Sequence, residues 1–144
     1  MNKNQGHKDQ QRRSQDGYDS ISAELNDASR EIIGAAIEVH RHLGPGLLEN
    51  IYEQALVHEL CLRGMTLQQQ VPVSIAYKDL DITGQRLDLL VDPGVIVELK
   101  AVKMIKDIHS AQLMGYLKST GLRLGLLINF NNLVLTKGIK RIVC

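Results

Sequence analysis

The sequence predicts a single α/β domain with a mixed central β-sheet flanked by helices. Three observations carry this. Apolar residues recur at helical spacing from Ile32 to Leu60, then at a period of two from Val71 to Tyr77, then as short unbroken runs at 86–91, 95–100 and 124–130. The resulting order is helix, helix, three strands, helix, strand, strand, and helices interleaved with apolar strands need a layered sheet. Finally, a chain of 144 residues with 44% apolar types can bury one core of ordinary size and hardly two.

Each element has local reasons. The first helix is expected to begin near Asn26–Ser29, where cap-competent side chains precede Ile32, Ile33, Ala36 and Ile37, and to stop at Gly44-Pro45-Gly46. Leu48, Ile51, Tyr52, Ala55, Leu56 and Leu60 are expected to make the buried stripe of a second helix that runs from about Leu47 to Arg63 and halts at Gly64. Val71, Val73, Ile75 and Tyr77 alternate as in a half-buried strand, Lys78-Asp79 suits a turn, and a short extended piece leads to Gly84. Arg86–Val91 and Val95–Lys100 read as central strands around Asp92-Pro93-Gly94. Asp107 can cap a helix from Ile108 to about Ser119 that ends at Gly121; a buried strand follows at Leu124–Phe130 and an edge strand at Ile139–Val143. Residues 1–25 are assigned to a mobile polar tail, and residues 26–144 to the folded domain.

Composition removes several classes. No apolar run approaches the roughly 18 residues that span a membrane, and the polar start lacks an apolar signal region. Cys61 and Cys144 have no metal-ligand spacing, and with no export signal a cytoplasmic location is expected. His40 and His42, two apart on a helix, diverge. There is no glycine-rich phosphate loop, serine elbow or Cys/His zinc pattern. Charge is uneven: residues 1–99 hold 9 basic and 15 acidic side chains, net −6, and residues 100–144 hold 8 basic and 1 acidic, net +7. Such asymmetry suits a polyanionic partner.

The chemistry concentrates in the two central strands. Glu98 and Lys100 are two apart and share a face, opposite Val95, Val97 and Leu99; Asp88 repeats the anomaly one strand earlier, with Leu87, Leu89 and Val91 expected on its opposite face. If Asp92-Pro93-Gly94 is a three-residue loop with left-handed Gly94, Asp88 lies across from Glu98 and Arg86 across from Lys100. Facing carboxylates repel unless a cation lies between them, and Mg²⁺ or Mn²⁺ accepts such a pair. Gln112 and Tyr116 share a helix face, from which an amide and a phenol can bind phosphate.

These residues form a pattern. Gly46-Leu47-Leu48-Glu49-Asn50-Ile51-Tyr52 matches the motif that names the GxxExxY proteins, a family of the PD-(D/E)XK nuclease superfamily. The resemblance covers nearly all of residues 29–143 through HLGPGLLENIYEQAL, RLDLLV, VIVELKAV, AQLMGYLK, LGLLINF and GIKRIV. RecB-like nucleases are similar in carrying a Q-x-x-x-Y helix, here Gln112 to Tyr116. The resemblance implies a restriction-endonuclease-like core and a Mg²⁺-dependent nuclease acting on DNA, Mn²⁺ being an alternative ion. It implies Asp88 and Glu98 as metal ligands with the Leu99 carbonyl, and Lys100 as the group that assists the attacking water. Glu49, with Glu53 as its rival, is the implied helix-borne acid; Gln112 and Tyr116 are the implied substrate contacts. Leu87 stands where the superfamily motif has proline. Lys103, Lys106, Lys118, Arg123, Lys137, Lys140 and Arg141 could hold the phosphate backbone. The other readings are a catalytically silent nucleic-acid-binding module, a homodimer, or a subunit of a larger assembly.

Overall fold

The first helix begins earlier than its apolar residues suggest. In the computed structural model, which describes residues 21–144, the Ser22 hydroxyl accepts a hydrogen bond from Leu25 N at 3.2 Å and caps α1, Ala23–Leu43. Asn26 and Ser29, expected near the cap, are spent otherwise: Asn26 Oδ1 accepts from Arg141 at 2.7 Å, and Ser29 donates to Asn26 O at 2.8 Å. Ile21 is buried, so residues 21–25 join the fold rather than the tail; the tail expected over residues 1–20 lies outside the described residues.

A tight loop then leads to α2, Glu49–Leu62. Gly46, at φ 96°, supplies a backbone conformation that side chains resist. The loop is fastened by a residue three positions into α2. The Tyr52 hydroxyl donates to Gly44 O at 2.6 Å and accepts from Leu47 N at 3.1 Å, while its ring stacks on Phe130 at a centroid distance of 4.6 Å. Tyr52 therefore sets where the first turn of α2, and with it Glu49, emerges.

The five strands are β1 (Leu67–Tyr77), β2 (Leu80–Val91), β3 (Val95–Lys100), β4 (Leu124–Asn129) and β5 (Ile139–Val143), in the spatial order of the sequence. The sheet is mixed as expected: β3 and β4 run parallel and the other neighbours antiparallel. Helix α3, Asp107–Thr120, makes the parallel crossover. Its N-cap is Lys106, not Asp107, which is already helical. β5 is an edge strand as expected. β1 begins at Leu67, four residues before Val71, because Leu67, Gln68 and Gln69 pair with β2 in a polar stretch that shows no alternation.

Two apolar layers sandwich the sheet. On one side α1 and α2 bring Ile32, Ala35, Ala36, Leu56 and Leu60 onto Leu89, Val91, Val97, Leu99 and Leu126. On the other, Leu113 and Leu117 of α3 meet Val73, Leu87, Ile96, Leu127 and Ile142. A Cβ on Gly125 would sit 2.8 Å from Leu113 Cδ1, so the bare backbone of β4 is what lets α3 approach this closely.

Leu87 departs from expectation. It packs towards α3, whereas Leu89 and Val91 pack towards α1 and α2. Residues two apart should share a face, so the pleat of β2 reverses between them, at Asp88.

Tyr52→Phe keeps the ring stack and strips Gly44 O and Leu47 N of their partner. We expect a loss of about 1–3 kcal/mol in urea unfolding, whereas a loss near zero would show that the loop does not depend on the hydroxyl.

Candidate active site

The β2–β3 hairpin has the expected register. Val91 pairs with Val95, Leu90 with Ile96 and Leu89 with Val97. Gly94 has φ 152°, positive but far more extended than the left-handed helical value anticipated. The ladder stops one step short of Asp88 and Glu98, so the expected pairs of Asp88 with Glu98 and of Arg86 with Lys100 do not form in it.

Side chains take over where the ladder ends. Glu98 Oε1 accepts from Asp88 N at 2.9 Å, and Asp88 Oδ2 accepts from Leu99 N at 2.9 Å. Each carboxylate thus satisfies a main-chain donor of the other strand and is held rigidly beside its neighbour. Glu98 is only 3% exposed. Burial, then the charge of Asp88, pushes its carboxyl up to about 8 from an ordinary 4.5. Among the described residues neither acid forms a salt bridge.

Helix α2 adds two acids. Glu49 and Glu53 are both raised above the usual carboxylate range, first by burial; the charge of Asp88 raises each further, and Lys100 opposes it at Glu49. Both candidates for the helix-borne acid therefore feel the charge of Asp88. Glu53 also accepts a 2.7 Å hydrogen bond from Gln70 Nε2, which reaches Asp88 Oδ1 at 3.4 Å.

The expected partners on α3 are in place. Lys100 Nζ donates to Gln112 Oε1 at 3.3 Å, so strand lysine and helix amide are coupled. Burial raises the Tyr116 hydroxyl, as do the charges of Glu98 and Asp88, against a hydrogen bond with Gln112. Lys100, Gln112 and Tyr116 line a groove of about 660 Å³ between α3 and the β1–β2 arm, walled also by Ile75, Gln85 and Gly115. Of the expected basic set, Lys118 lines a smaller cavity beyond Ile75 and Ser119, Lys103 and Lys137 flank another, and Arg141 is engaged by Asn26.

A family model described as the PD-(D/E)XK nuclease superfamily matches residues 26–142, most of the chain. The chain belongs to the PD-(D/E)XK nuclease superfamily. No curated protein and no solved structure matches it. The five-stranded mixed sheet with three helices is the core expected of a PD-(D/E)XK nuclease, and membership suggests a nuclease.

The donor set of this PD-(D/E)XK protein suits the divalent ion such nucleases generally use. Carboxylate oxygens are hard donors, and Mg²⁺ accepts one or two of them with water completing its shell. Among the described residues no three His, Cys, Asp or Glu side chains already form a cation cage; the fit rests on two adjacent carboxyl groups, Glu98 buried and Asp88 half-buried, neither of which is in a salt bridge among the described residues. Sequence reasoning missed Gln70. It lies in a Gln-Gln-Gln run with no periodic signal, and only the pairing of β1 with β2 brings it to Asp88.

A group whose folded pKa lies above its unfolded value stabilises the fold fully below the unfolded value and loses that contribution as pH rises through the folded one. Glu98 should therefore make the metal-free protein lose stability between pH 4.5 and about 8, by at most about 1.4 kcal/mol per pH unit. Urea midpoints in chelator across that range should fall for the wild type and fall less steeply for Glu98→Gln. Parallel curves would mean that Glu98 is already ionised.

Proposed function

We propose that this chain is a divalent-metal-dependent nuclease that hydrolyses phosphodiester bonds of DNA. The observation that carries the reading is the Asp88–Glu98 pair, Glu98 buried and Asp88 half-buried, free of salt bridges among the described residues and followed two residues on by Lys100, in a member of this superfamily. Asp88 and Glu98, with the Leu99 carbonyl, would hold the ion. When bound, Mg²⁺ or Mn²⁺ polarises the phosphoryl oxygen and lowers the pKa of a coordinated water.

The chain's own groups do the positioning. The Lys100 ammonium donates to the attacking water and to the charge that develops on the phosphoryl oxygens. Gln112, bonded to Lys100, limits its rotation. The Tyr116 hydroxyl and the Gln112 amide supply donors to phosphate at the mouth of the groove. Glu49 approaches from α2, on the other side of the sheet, within reach of the charges of Asp88 and Lys100, and could accept a hydrogen bond from the attacking water. The presence of every expected acid favours a working enzyme over a silent binding module.

Purified protein with DNA and Mg²⁺ or Mn²⁺ should release cut product, and Asp88→Ala and Lys100→Ala should each lower the rate by about 10²–10⁴-fold. Cleavage that persists unchanged in both variants removes the assignment. A second variant tests the groove. A Cβ on Gly115 meets nothing within 4 Å, so Gly115→Met should be as stable as wild type or up to about 1 kcal/mol more so. It should nevertheless cut more slowly because its side chain fills the channel. Full activity would place the substrate elsewhere.

A further inference from the structure

Gln70 is the described residue least expected where it stands. It has φ 51° within β1, a left-handed conformation that costs a non-glycine residue of order 1–3 kcal/mol. The other non-glycine residue with positive φ among those described, Lys78, lies in the β1–β2 turn, where such angles are ordinary. The β1–β2 pairing skips Gln70 and Asp88 but keeps one register on both sides, Gln69 with Leu89 and Val71 with Leu87, so no residue has been inserted and Gln70 stands across from Asp88. The reversal of the pleat explains the backbone. Leu67 packs towards α1 and α2 but Val71 and Val73 towards α3, the same exchange that β2 makes between Leu89 and Leu87. Two paired strands that stay in register must turn over together, and they do so at Gln70 and Asp88.

The side chain has a separate role. Gln70 Nε2 donates to Glu53 Oε1 at 2.7 Å and reaches Asp88 Oδ1 at 3.4 Å. Asp88 Oδ2 already serves Leu99 N, so Oδ1 is the oxygen this carboxylate has left to offer a ligand. The amide presents its partial positive charge between two acids from different elements, each of which raises the other's need for a counter-charge. Among the described residues no lysine or arginine supplies that charge to either acid by salt bridge.

We propose that Gln70 is a positioning residue that stands in for the divalent cation: its amide ties Glu53 to Asp88, and the ion must displace it from Asp88 Oδ1 to bind. The inference rests on the reading of Asp88 as an ion ligand. It follows that Gln70 lowers the affinity for the ion and stabilises the ion-free site.

Gln70→Gly is the variant that isolates the side chain, because glycine adopts φ 51° without strain and keeps the turnover of the strands. Calorimetric titration of the full chain with Mn²⁺ should show Gln70→Gly binding about tenfold more tightly than wild type, one hydrogen bond to a charged group no longer being broken. Saturating Mn²⁺ should raise its melting temperature by more than it raises that of the wild type. Gln70→Lys, whose ammonium is harder to displace, should bind Mn²⁺ more weakly than wild type. Unchanged or weaker Mn²⁺ binding by Gln70→Gly, or an equal loss of melting temperature with and without Mn²⁺, overturns the proposal, since a purely structural residue behaves that way. Asp88→Asn separates the two ideas. Asp88-dependent Mn²⁺ binding in the wild type with no change in Gln70→Gly removes this proposal alone, and no Mn²⁺ binding by either protein removes the nuclease reading with it.

Discussion

Two carboxylates that must be neighbours and cannot neutralise each other dominate this molecule. Asp88 and Glu98 lie where β2 and β3 stop pairing, and each fills with its oxygen the hydrogen bond that the ladder has abandoned. The exchange fixes both side chains, and the burial of Glu98 together with the charge of Asp88 keeps a proton on Glu98 up to about pH 8. The repulsion appears once that proton leaves, because field lines between the two acids run largely through protein rather than water. The surroundings answer this unresolved charge: Lys100 alongside, an amide from β1, a second amide and a phenol from α3. A site built this way keeps a proton on Glu98 when it is metal-free and offers hard oxygen donors to a cation once that proton leaves.

The elements around the pair place donors rather than add charge. The close approach of α3 to β4 over Gly125 lowers Gln112 to the level of Lys100. On the opposite side, the Tyr52 clasp on the Gly44–Leu47 loop determines where Glu49 leaves the chain. Tyr52 also leans on Phe130, whose backbone N donates to Lys100 O at 2.9 Å. The loop before α2 and the end of β3 are thereby joined through one aromatic stack.

Much of this could be read from the residues. Glu98 and Lys100 stand out because charges interrupt an apolar strand, and the three-residue loop at Asp92–Gly94 sufficed to place Asp88 beside Glu98. What stayed hidden has a common cause: pattern arguments assume that a strand keeps its faces. The reversal at Asp88 moves Leu87 to the side opposite Leu89 and ends the β2–β3 ladder before Arg86 can pair with Lys100, although the alternation of residues 86–91 gives no sign of it. Gln70 escaped for the same reason, since it is polar, sits among polar neighbours and matters only through its partner strand. The start of α1 was misplaced because Asn26 looks like a cap but is committed to Arg141, a contact 115 residues away in sequence.

The parallel pairing of β3 with β4 has a consequence for the nascent chain. Proteins emerge from the ribosome amino-terminus first, and β3 carries Glu98 and Lys100 yet has its second neighbour only once residues 124–129 have followed α3. Until then one edge of that strand is open and Lys100 O lacks the amide of Phe130. A chain that has not yet formed β4 therefore holds every acid of the site on a strand with one edge unpaired.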